Sequence, residues 1–75
     1  MNTEHLMVLV GREYLVDAKI SESGYLVSRV KHKEKWSKWT RPYVPTRRKD
    51  QNKLDNFQEF LTSIGGELIG KGGTP

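Results

Sequence analysis

Apolar and polar positions alternate along most of the first forty residues, and the period changes near residue 54. Leu6-Met7-Val8-Leu9-Val10 is a short continuous apolar run closed by Gly11, the mark of a buried strand with a turn or bulge behind it. From Glu13 to Ile20, the residues Tyr14, Val16, Ala18 and Ile20 alternate with Glu13, Asp17 and Lys19, the period of a half-buried strand that only Leu15 breaks. Ser21-Glu22-Ser23-Gly24 then predicts a hairpin loop whose final Gly can reach positive φ. Tyr25 to about Lys33 predicts the next strand. Leu26, Val30 and His32 share its inward face, while Arg29, Lys31 and Lys33 share the other with Tyr25 and Val27.

Trp36 to Arg41 predicts another strand, stopped by Pro42 and Pro45, which cannot donate to a ladder. Trp36 and Trp39 are three apart, so a regular strand turns them to opposite faces, and only a bulge would bring both to one side. Thr46-Arg47-Arg48-Lys49 is a polar connector, with Asp50 or Asn52 as the cap of a helix. Leu54, Phe57, Leu61 and Ile64 then recur at i, i+3, i+7 and i+10, widened by Phe60, and Gly65-Gly66 ends the helix. Glu67-Leu68-Ile69 adds a final turn or a short strand, and residues 70–75 are expected to be a flexible tail. The expected fold is α+β: a three- to four-stranded antiparallel sheet with one C-terminal helix packed on one face, in a single domain spanning residues 1–69.

A lone helix covers one side of such a sheet, so the strand parity assigns the cations of Tyr25–Lys33 to the side left open. Charge sharpens this. Ten of the thirteen Lys and Arg residues lie between Arg29 and Lys53, against Glu34 and Asp50 alone, so this stretch carries 10 − 2 = +8 and the rest 3 − 7 = −4. Both tryptophans and Tyr43 fall in the same stretch. Solubilising lysines on exposed strands are commonplace, but a segment of +8 repels itself, which a surface meant only for solubility would avoid. Each Trp buries on the order of 200 Å² when it joins a core. With opposite facing, one ring is expected under the helix and the other, Trp36, on the open face.

The remaining chemistry is mostly excluded. Seventy-five residues without Cys offer no disulfide or thiolate metal site, and His5 and His32 stand in separate segments. Gly65 to Gly72 has the G-x-x-x-x-G-K spacing of a phosphate loop. It puts Gly72 where a Ser or Thr hydroxyl must bind magnesium, and it follows a helix instead of joining a strand to one. Asp55 and Glu59 stand i, i+4 on the helix surface with no partner motif. No enzymatic activity, cofactor or metal is expected. The longest apolar run, five residues, does not span a membrane, and no charged segment followed by an apolar h-region opens the chain. An intracellular protein of cytoplasm, nucleoid or nucleus is expected.

The stretch from Tyr25-Leu26-Val27 through Trp36-Ser37-Lys38-Trp39-Thr40-Arg41-Pro42, with Glu13-Tyr14-Leu15-Val16-Asp17 before it, resembles chromodomain and chromo-barrel modules over roughly residues 13–64. The resemblance implies small strands followed by a C-terminal helix, and in methyl-lysine readers an aromatic cage. Aligned on Tyr25, two cage positions fall on Arg29 and His32, leaving Trp36 and Tyr14. The order of strands then helix also resembles the arm-type DNA-binding domains of integrases, which implies a sheet face laid in the major groove.

The expected function is a small non-enzymatic nucleic-acid-binding module, for DNA ahead of RNA. Arg29, Lys31, Lys33, Lys35, Lys38, Arg41, Arg47, Arg48 and Lys49 would neutralise phosphates, and Trp36 or Trp39 would stack on a base or wedge into a groove. The alternative is an interaction module, inhibitor or adaptor that docks its basic face on an acidic protein. Homodimerisation through the Leu6–Val10 edge is compatible with either.

Overall fold

The alternating runs ending at Ile20 and His32 fold as the strands their period predicts, whereas of the strand expected over Trp36–Arg41 only Lys35–Trp36 forms, with an isolated bridge further on at Thr40. The computed structural model describes residues 4–45 and 53–73. In chain order these form β1 (Glu4–Val10), β2 (Tyr14–Ile20), β3 (Leu26–His32), β4 (Lys35–Trp36), α1 (Lys53–Ser63) and β5 (Gly66–Gly73). The β2–β3 loop closes as expected. Ser21 N donates to Tyr25 O, Gly24 N donates to Ser21 O, and Gly24 adopts φ 86°, open to glycine at no steric cost. At the β3–β4 hairpin the two-residue loop Lys33-Glu34 takes φ 52° and 67°. Positive φ at both central positions is the type I′ requirement, usually met by Asn-Gly.

The strands pair antiparallel in the order β4-β3-β2-β1-β5. The sheet therefore has five strands, not three or four. The additional strand is the Gly-rich segment after the helix, and residues 70–73, expected in a tail, pair with Glu4–Met7. A run of Gly66, Gly70, Gly72 and Gly73 has no side-chain pattern to announce a strand. Its pairing comes from the backbone donors and acceptors that the outer edge of β1 would otherwise leave unmet. With β2 on one side and β5 on the other, β1 is an interior strand, so the Leu6–Val10 edge is closed to self-association.

Helix α1 starts beside the β2–β3 loop, where Lys53 Nζ donates to Gly24 O, and packs across one face on β1, β2 and β5. Leu54, Phe57 and Leu61 pack there on Leu6, Val8, Val16 and Ala18, with Val10, Ile20, Leu26, Val30, Val44 and Phe60 around them. Burying one such side chain contributes roughly 1.5–3 kcal/mol. Ile64, the last member of the predicted stripe, lies past the helix end and is exposed. The close fit continues into β5. A Cβ on Gly66 would sit 2.8 Å from Leu61 O and 2.9 Å from Val8 Cγ1, so only glycine lets the chain leave α1 this near the sheet. The cap positions Asp50 and Asn52 lie outside the described residues. No helix among the described residues is long and apolar enough to cross a membrane.

His32 points to the helix-side face, as its parity predicts, and its ring stacks on Tyr14 with centroids 4.6 Å apart. Its Nε2 lies 3.5 Å from the Glu13 carboxylate without a hydrogen bond.

Candidate nucleic-acid interface

The face of the sheet turned away from α1 is decided by one extra residue after β4. Trp36 pairs with Lys31, and further along Thr40 pairs with Ser28. The β3 side of this interval covers 31 − 28 = 3 steps and the other side 40 − 36 = 4, so the outer chain bulges by one residue. Ser37 sits at the irregularity: its N donates to Val30 O at 2.8 Å, and its Oγ accepts Val30 N at 2.9 Å where a backbone carbonyl would otherwise serve. The bulge restores parity. Trp36 and Trp39 both come to the open face, which overturns the expectation of one ring under the helix. A regular strand would have separated them; the inserted residue does not.

The two rings flank one guanidinium. Arg29 Cζ lies 4.1 Å from the Trp36 centroid and 4.8 Å from that of Trp39. Lys19 Nζ stands 4.5 Å from Trp39, and Lys31 Nζ 5.8 Å from Trp36. These are cation–π distances, worth about 0.5–1 kcal/mol each at exposed sites. Beneath Arg29 lies Asp17, only 3% exposed although no element among the described residues covers this face. Its Oδ2 accepts from Arg29 Nε at 3.2 Å and its Oδ1 from His5 Nδ1 at 2.8 Å. A buried carboxylate demands such partners. Asp17 therefore fixes Arg29 from below, and Arg29 in turn supports both rings, which remain 38% and 36% exposed.

The cations predicted from sequence divide among three places. Arg29 and Lys31 lie on the open face with the tryptophans, and Lys38, exposed, belongs to the bulge. Lys33 leaves the strand for the hairpin turn, and Lys35, paired with His32, has the opposite parity. Arg41 stacks on Tyr25, with Cζ 3.7 Å from the ring centroid, beside Leu26, Val44 and Lys53 near the start of α1. Tyr25 is thus drawn to the helix end instead of the cationic face. Arg47, Arg48 and Lys49 lie outside the described residues. Tyr14 and Trp36 occupy opposite faces by register, so they do not line one aromatic cage.

Three contributors, His5, Asp17 and Lys19, escaped the expectation built on charge density, because they lie on β1 and β2. The signal was present in the alternation of β2, where Asp17 and Lys19 face away from Val16 and Ala18. The face also has a second half: Met7, Leu9 and Leu15 carry the same parity and are half-buried. No protein-family profile, curated protein or solved structure matches the chain.

Proposed function

We propose that this protein is a small nucleic-acid-binding module that uses the open face of its sheet. The observation that carries the reading is the joint placement of Trp36 and Trp39 on that face among Lys19, Arg29 and Lys31. Aromatic rings offer stacking to bases, and ammonium groups beside them meet phosphates. Arg29 is already engaged by Asp17, so among the described residues of this face Lys19, Lys31 and Lys38 are the cations left for phosphate contacts. Three contacts give a log–log salt slope of roughly −2 to −3, shallower than the total charge of the basic stretch would suggest.

The test is a titration against oligonucleotides, duplex and single-stranded, at about 50 and 200 mM salt. Binding that weakens with this slope, and that falls for the double variant K19E/K31E, is the expected result. No binding to either form at the lower salt refutes the proposal.

A second reading, docking on an acidic protein, draws on Met7, Leu9 and Leu15, an apolar area beside the cations that nucleic acid would leave unused. A pull-down from nuclease-treated lysate separates the two. A single stoichiometric protein that survives nuclease favours docking, and loss of every partner favours nucleic acid.

A further inference from the structure

The disposition of the tryptophan rings constrains the form of nucleic acid as well as its class. Both centroids lie within reach of one atom, Arg29 Cζ, so they are at most 4.1 + 4.8 = 8.9 Å apart. The rings are within 4.1–4.8 Å of the cationic ends of Lys19 on β2 and Arg29 on β3, so they reach inward over the sheet face instead of projecting past the edge strand as wedges. Bases inside a duplex are stacked on each other and cannot lie on rings so placed. Bases of a single strand can.

The breadth of the sheet argues the same way. Five strands at about 4.8 Å spacing make a face roughly 19 Å wide, broader than the major groove at about 12 Å. The face cannot enter the groove as a unit, whereas it can lie beneath an unpaired strand. Successive bases along one strand are about 3.4 Å apart when stacked, and an extended strand opens that spacing towards the separation of the two rings. Each ring has a lysine beside it, Lys19 at Trp39 and Lys31 at Trp36, on the scale of the alternation of base and phosphate. The one carboxylate in this cluster, Asp17, is buried under Arg29 and bonded to His5, so it presents no exposed negative charge to a phosphate backbone.

We infer that the open face takes single-stranded nucleic acid, one base stacked on Trp36 and another on Trp39, with Lys19 and Lys31 at the flanking phosphates. This rests on the nucleic-acid reading above and narrows it. Arg29 is a positioning residue here: it holds the two rings at a fixed separation and makes no contact with the ligand's phosphates.

The experiment measures affinity and tryptophan quenching for matched oligo-dT, oligo-U and blunt duplex at about 50 mM salt. It uses the wild type, W36A, W39A and the conservative variants W36F and W39F, each checked for fold by circular dichroism and thermal melting. The expected result is single-strand binding at least about tenfold tighter than duplex, with quenching. Each Ala variant should lose about 5- to 150-fold, and the Phe variants should retain most of the affinity. Duplex binding equal to or tighter than single-strand binding overturns the inference while leaving nucleic-acid binding in place. So do folded Ala variants that bind single strands like the wild type. Absence of binding to all three probes overturns the broader reading with it.

Discussion

Replacing Arg29 with Met removes the charge and the planar group but keeps most of the aliphatic stem, so it isolates what the guanidinium contributes. Three interactions go. The charge-assisted bond to Asp17 is worth roughly 1.5–3 kcal/mol, and the contacts to Trp36 and Trp39 about 0.5–1 kcal/mol each. The sum, about 2.5–5 kcal/mol, must be reduced, because the Arg29 side chain is 34% exposed and solvent screens it, and because Asp17 keeps its bond to His5. A net loss of about 2–3 kcal/mol remains. For a domain of this size, whose total stability is on the order of 4–11 kcal/mol, that is a large fraction. It corresponds to a fall in Tm of about 10–20 °C. Urea unfolding followed by tryptophan fluorescence reports the open face directly, since both tryptophans lie there, and far-UV circular dichroism reports the fold.

The cause is separable by a cycle with Asp17→Asn. If Arg29 matters because it neutralises a buried carboxylate, D17N should rescue R29M, with a coupling energy of at least about 1 kcal/mol. R29K should fall between wild type and R29M, because an ammonium keeps the charge but lacks the planar group that reaches both rings and Asp17 at once. An R29M protein within about 0.5 kcal/mol of the wild type, or a cycle that is additive, would refute the view that Asp17 and the tryptophans are organised through this guanidinium.

Three further outcomes test the fold around the site. Lys33→Asn with Glu34→Gly should raise stability by about 1 kcal/mol, because both positions already hold positive φ; an unchanged or lower Tm counts against a type I′ turn. Gly66→Ala should lower stability by about 1–3 kcal/mol in urea, as the added methyl meets Leu61 O and Val8 Cγ1. Deleting residues 70–75 removes the pairing to Glu4–Met7 and the Lys71–Asp55 ion pair, and should lower stability by about 1 kcal/mol for each ladder bond lost. A deletion without effect on thermal melting would return this segment to the status of a tail.

Much of the architecture was legible in side-chain order. The parity of Tyr14, Val16, Ala18 and Ile20, repeated by Leu26, Val30 and His32, set which residues take the helix-side face. The same counting sent Arg29 and Lys31 to the other side. The stripe Leu54, Phe57 and Leu61 matched it at helical spacing. Parity works while each residue advances the chain by one step, and it fails where a residue is inserted. The irregular run from Trp36 to Thr40 holds such an insertion, which is why the position of Trp39 could not be counted from Trp36.

What the sequence by itself determined was therefore local: the periods of the strands and the helix, the hairpin at Gly24, and a charge distribution confined to one stretch. The tertiary structure alone decided the rest. It gave Gly66–Gly73 a partner, because the need of β1 for backbone hydrogen bonds is a long-range demand that no side-chain pattern announces. It also assembled the site from four strands, bringing Asp17 and Lys19 from β2 and His5 from β1 to Arg29 on β3 and to the tryptophans on and after β4. Those residues meet only through register, and register belongs to pairing, not to any one segment of the chain.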